Sequence, residues 1–170
     1  MDEHVIQPSL EAASLLGIIV MVLSYLSIHE LFNVGFPFLE HPLELLKAGL
    51  LMLLIVPVHE TLHAIGILIA GGKPRAGIKT RLKVIILAVY VASNKPIARN
   101  CTFLVLLMPF LVLDAIFFTL LCILPQYKVE LAILFAANTG ASIWDVLSAT
   151  LLLKYPPYVK VLDEGYVYWA

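Results

Sequence analysis

Residues 50–70, LLMLLIVPVHETLHAIGILIA, decide how the chain is read. A helix needs about 20 apolar residues to cross a bilayer, at 1.5 Å each, and this run supplies them. In its middle stand His59-Glu60-Thr61-Leu62-His63, the pattern H-E-x-x-H. Residues four apart on a helix share a face, so both imidazoles can reach one metal ion. Glu60 leaves the same turn and can act as general base toward a metal-activated water. Three ionisable side chains are costly to keep in hydrocarbon, which makes a functional site the first reading of them. A polar cluster that only holds helices together is the plainer alternative.

Composition agrees with a membrane setting. The 170 residues are 61% hydrophobic and 14% charged, with a mean hydropathy of +0.97. That balance excludes an ordinary soluble domain and implies one membrane-embedded domain over residues 1–170. A net charge of −1 argues against a nucleic-acid partner. Cys101 and Cys122 fall on one expected helix about 30 Å apart, too far to pair. The start, Met1-Asp2-Glu3-His4, is acidic and lacks the basic segment of a signal peptide. The first apolar run is therefore expected to stay as a span.

The expected fold is an all-α polytopic membrane protein with four transmembrane helices, over residues 12–32, 46–70, 101–124 and 129–153. Gly71-Gly72-Lys73-Pro74 is a stop signal for the second helix. Between helices two and three, residues 76–92 alternate apolar and polar side chains and are rich in β-branched residues. They predict strands or a short hairpin, with an interfacial cover over the helices as the other possibility. Lys73, Arg75, Lys79, Arg81, Lys83, Lys95 and Arg99 crowd into this same loop. The positive-inside rule sets the 71–100 loop and both termini in the cytoplasm, with the chain in the plasma membrane. Tyr155, Tyr158, Tyr166, Tyr168 and Trp169 then fall near that interface.

Catalytic zinc takes three protein ligands and leaves a place for water. A third ligand must lie at the depth of His59 and His63, which is about 16 and 10 Å from the inner end of their helix. Asp145 lies about 12 Å from the inner end of the fourth span, so it is the expected third ligand. Asp114, about 20 Å deep, is the competitor, and a buried hydrogen bond to Asn138 is its preferred role. Asn138, Ser142 and Asp145 share one helix face. Asn138 can donate to substrate or to a developing oxyanion, or it can pack between helices, and Ser142 supports the ligands from behind. Gly140 and Ala141 are small enough to permit close helix approach.

These motifs resemble the bacterial and archaeal membrane proteins classed as putative zincin peptidases, a domain-of-unknown-function family. The resemblance rests on His59-Glu60-Thr61-Leu62-His63 with Ala64 and Gly66, on Ala88-Val89-Tyr90-Val91, and on Lys95-Pro96-Ile97-Ala98-Arg99 with Met108-Pro109-Phe110. It continues through Asn138-Thr139-Gly140-Ala141-Ser142-Ile143-Trp144-Asp145-Val146 and Val161-Leu162-Asp163-Glu164-Gly165. It implies a zinc peptidase. A more distant similarity is to site-2 proteases, which carry H-E-x-x-H on one membrane helix and an aspartate ligand on a later one. Here Asp145 is followed by Val146 rather than Gly, and no Pro lies between Asn138 and Asp145.

The expected function is an intramembrane zinc metalloprotease acting on a membrane-protein or peptide substrate within the lipid bilayer. Zinc would be held by His59, His63 and Asp145, with Glu60 as general base. The alternatives are a non-enzymatic metal sensor or carrier, which needs the ligands but not Glu60, and a structural subunit without metal.

Overall fold

Backbone amides in hydrocarbon have no water to bond, so a crossing segment must close its own hydrogen bonds. Four segments are long and apolar enough to do so as helices: Glu11–Phe32, Leu46–Ile69, Arg99–Ile123 and Pro125–Leu152. The computed structural model describes residues 5–6, 8–36, 42–81, 85–163 and 168–169. Its first three helices are α1 (Leu10–Phe32), α2 (Pro42–Ile69) and α3 (Arg99–Ile123). They leave Leu15, Leu23, Leu53, Leu54 and Leu104 exposed, an apolar surface suited to lipid.

The fourth span departs from the single helix expected. A short 3₁₀ turn, Pro125–Tyr127, leads into α4 (Lys128–Ala141), and α5 (Ile143–Leu152) follows. The break falls at Ser142. Its Oγ donates to the Asn138 carbonyl at 2.8 Å, and its own N–H bonds the same oxygen at 2.9 Å. Such back-bonding loosens a helix, and Gly140 beside it is a poor helix former.

Helix α2 stops where the sequence signals. Gly71 takes φ 77°, which a residue with a Cβ rarely adopts. Its N–H reaches the Leu68 carbonyl at 3.0 Å, and the Gly72 N–H reaches Ile67 at 2.9 Å, a Schellman closure. A Cβ at Gly72 would lie 2.7–2.8 Å from Ser93, Ile67 and Ile97, so both glycines are required.

The expected hairpin follows at once. Strand β2 (Pro74–Arg81) pairs antiparallel with β3 (Ile85–Ser93), from Pro74 opposite Ser93 to Arg81 opposite Ile85, with a bulge at Lys79/Thr80. Residues 82–84 of the expected strand segment lie outside the described residues. A second sheet was not foreseen. It has the order β1-β6-β5-β4, built from Val5–Ile6, Tyr168–Trp169, Lys160–Asp163 and Ile97–Ala98.

The chain divides into two compact units. One comprises Met1–Ser9, Glu60–Pro109 and Asp145–Ala170, and the other Leu10–His59 and Phe110–Trp144. In the first, Leu106, Ala149, Leu152 and Val161 form one buried cluster, and Ile67, Ile97 and Val105 another. Arg99 donates twice to the Tyr155 carbonyl, at 3.1 and 2.9 Å, just beyond the end of α5.

In the second unit α1 packs on α4 through glycines. A Cβ at Gly17 would lie 2.8 Å from the Gly140 carbonyl oxygen, and one at Gly140 would lie 2.7 Å from Met21 Cβ. Gly140 thus permits close approach as expected, whereas Ala141 is exposed and takes no part. Alanine at Gly140 regains about 1 kcal/mol of helix propensity but loses about 1–3 kcal/mol to overpacking against backbone. Gly140→Ala should therefore lower the thermal midpoint of the purified protein. Gly49→Ala, where nothing lies within 4 Å of the new methyl, should leave it unchanged or raise it. Equal behaviour of the two variants would contradict the close crossing.

Candidate metal centre

Helix α2 carries His59, Glu60 and His63 across one turn. Their ligand atoms lie within 4.8 Å of one another, with both histidines buried and Glu60 half-buried. A histidine gives a metal one ring nitrogen, and the partner of the other decides which.

For His63 that partner comes from a defect in α3. Pro109 has no N–H, so the Val105 carbonyl four residues earlier lacks its helical donor. The Nδ1–H of His63 donates to that carbonyl at 3.0 Å. In the neutral ring Nε2 then carries the lone pair. It faces Asp145 Oδ2 at 3.5 Å, and both side chains are buried. A charge-assisted N–H···O bond would be about 2.7–2.9 Å. Two ligands on one tetrahedral zinc, each about 2.0–2.2 Å from the ion, stand about 3.4 Å apart. The observed separation matches that spacing.

For His59 the partner is an amide. Its Nδ1–H donates to Asn138 Oδ1 at 3.0 Å. The Asn138 Nδ2 donates to Asp114 Oδ1 at 2.8 Å, and Asn138 is fully buried. With the ring neutral, each histidine keeps its proton on Nδ1 and leaves Nε2 for a metal. On this donor chemistry the residues fit a zinc ion.

Glu60 lies against the hairpin. Its Oε2 accepts the Val91 N–H of β3 at 2.7 Å. Alternate backbone N–H groups of a strand point to the same edge. The Val91 N–H points away from β2, so Glu60 sits at the outer edge of β3.

The residues singled out from sequence fall as follows. Asp145 faces His63, and Asp114 bonds Asn138, its preferred partner. Asn138, expected either to offer its amide to substrate or an oxyanion or to pack between helices, bonds His59 and Asp114. Ser142 bonds the Asn138 backbone carbonyl and is linked through that residue to His59. Cys101 and Cys122 are free thiols, both on α3. Tyr166 and residues 164–165 of the tail motif lie outside the described residues. Sequence reasoning missed the Val105 carbonyl and the Val91 N–H. Pro109 was the available signal for the first, because a proline inside a helix frees a carbonyl one turn back.

The chain belongs to the family described as "Putative zincin peptidase", whose model matches residues 52–160. A Pyrococcus woesei protein named "Uncharacterized 24.7 kDa protein in gap 5'region" is 33% identical over 115 residues, 67% of this chain and 50% of that protein. The chain thus spans about half the length of the curated relative it matches. No solved structure matches it. The matched span contains the H-E-x-x-H turn, the hairpin, Pro109, Asn138 and Asp145. Zinc is the metal a zincin family implies.

Restoring an N–H at position 109 gives the Val105 carbonyl a second donor. Pro109→Ala should strengthen α3, because proline costs about 3 kcal/mol inside a helix. It should at the same time weaken zinc binding by about tenfold, the low end for loss of a ligand's support. A chelator competition and a thermal melt read the two directions. A variant that gains stability and keeps full zinc affinity would show that the freed carbonyl is irrelevant to His63.

Proposed function

We propose that this chain is a membrane-embedded zinc peptidase with Glu60 as general base and His59, His63 and Asp145 as metal ligands. The observation that carries the reading is the 3.5 Å approach of Asp145 Oδ2 to His63 Nε2, one turn from His59 on the family's H-E-x-x-H helix. Zinc bound there would polarise the scissile carbonyl and make a water acidic enough to attack it near neutral pH. The chain's own residues do the rest. Glu60 takes the water's proton on its carboxylate and hands it to the leaving amine nitrogen. The backbone N–H of Val91 holds that carboxylate in place.

The substrate must arrive extended, because amides in a membrane helix are already hydrogen-bonded. The outer edge of β3 suits it. An added strand bonds the edge through its main chain and lies next to Glu60. The substrate class is thus an extended segment of a membrane protein or peptide. The basic 71–100 loop and both termini face the cytoplasm in this reading, and the membrane is the cell's plasma membrane.

Glu60→Gln should retain zinc and lose cleavage of an unstructured peptide by about 10²–10⁴-fold, the usual worth of a general base. Asp145→Ala should lose zinc as well. A metal carrier does not need Glu60, so full cleavage by the Gln variant, or none by the wild type in the presence of zinc, would defeat the peptidase reading. For orientation, a cysteine at Asn94 in a chain with Cys101 and Cys122 replaced should react with an impermeant maleimide only after cells are opened. Labelling in intact cells would reverse the topology.

A further inference from the structure

Asp114 lies on α3 outside the ligand set, yet it is buried, and both of its oxygens are engaged. Oδ1 accepts from Asn138 Nδ2 at 2.8 Å, and Oδ2 bonds Thr139 Oγ1 at 2.7 Å. The Phe135 carbonyl lies 2.8 Å from the same hydroxyl, so its single proton is shared between that carbonyl and Asp114. Asp114 thus has one oxygen left to face Asn138, and that oxygen accepts.

An asparagine amide offers an acceptor on one side and donors on the other. Set between a histidine and an acceptor, it can sit only one way. Its NH₂ must face Asp114, which turns its oxygen toward His59. That oxygen can only accept, so a neutral His59 must carry its proton on Nδ1 and its lone pair on Nε2. A flipped amide would put two oxygens against each other at Asp114. It would also aim NH₂ at His59, moving the ring proton to Nε2, where a metal could not bind.

We propose that Asp114 is a positioning residue that acts through Asn138. By holding the amide in one orientation, it selects the metal-binding tautomer of His59. The inference rests on the zinc-site reading above for its purpose and its zinc readout, whereas the tautomer readout is independent of it.

The test uses two variants of the full chain in detergent. Asp114→Leu removes the acceptor, so Asn138 can flip. The exchange Asp114→Asn with Asn138→Asp keeps size and polarity and places a carboxylate directly against His59, where either oxygen accepts. Nitrogen-15 NMR of labelled histidine in the metal-free protein reads the His59 tautomer, with His59→Gln supplying the assignment. Competition with a chelator reads affinity for Zn²⁺ alone. The wild type should show Nδ1–H at His59. The Leu variant should show His59 mostly as Nε2–H and bind zinc about 10–100-fold more weakly. The exchange should restore Nδ1–H and most of the affinity.

A wild-type tautomer in the Leu variant with unchanged zinc affinity overturns the proposal. So does an exchange variant that folds but lacks Nδ1–H or binds no zinc, the latter being the mark of Asp114 as a direct ligand. Should the Leu variant fail to fold, the near-isosteric exchange decides alone. The tautomer is read without metal or substrate, so its outcome is separate from whether the protein cuts peptides.

Discussion

A polar atom in hydrocarbon has no water to turn to and must find its partner within the protein. The architecture follows from that constraint at two scales. At the larger scale it forces the crossing segments into helices and confines irregular backbone to places where other protein covers it. At the smaller scale it governs the two histidines. Each has one ring nitrogen bonded to an acceptor that the fold supplies, a backbone carbonyl for His63 and an amide oxygen for His59. Neither acceptor is an accident of packing. The carbonyl is available because Pro109 removed its normal donor, and the amide is aligned because Asp114 accepts on its far side.

These two devices differ in kind. A carbonyl released by proline is rigid, since α3 on either side of it fixes its direction. An asparagine between two partners is a relay that can reverse, and it needs a third residue to prevent this. Support for His63 is therefore local, whereas support for His59 runs through Asn138 to Asp114 and on to Thr139. A change far from the H-E-x-x-H turn can thus be felt at His59.

Much of this could be read from the residues. The H-E-x-x-H turn, the four apolar runs and the Gly71-Gly72 stop each depend on a short stretch with a strong local preference, and each is visible in one pass. Helix depth, a crude ruler, sorted the two aspartates toward different neighbours, and the structure finds Asp145 at His63 and Asp114 at Asn138. What escaped was non-local or too short to have a period. The second sheet is made of strands of two to four residues, in which no alternation can register. The Val105 carbonyl meets His63 across 42 positions and shows no side chain of its own. The break at Ser142 looks like helix in composition, because apolar residues continue on both sides. Gly17, the partner of Gly140, looked like any small residue in a span.

The bond between Glu60 and Val91 closes a loop of 31 residues onto the side chain that begins it. The chain leaves Glu60, turns at Gly71, runs out and back along the hairpin, and returns to the carboxylate it left. Strand position and carboxylate position are thus a single variable. A shift of one residue in β3 would turn the N–H at that point to the other edge and break the closure. The bulge at Lys79/Thr80 lies on the far side of this junction, toward the tip. The rungs from Pro74–Ser93 to Ala76–Val91 must keep their count. Homologues should accordingly vary in hairpin length only beyond the bulge.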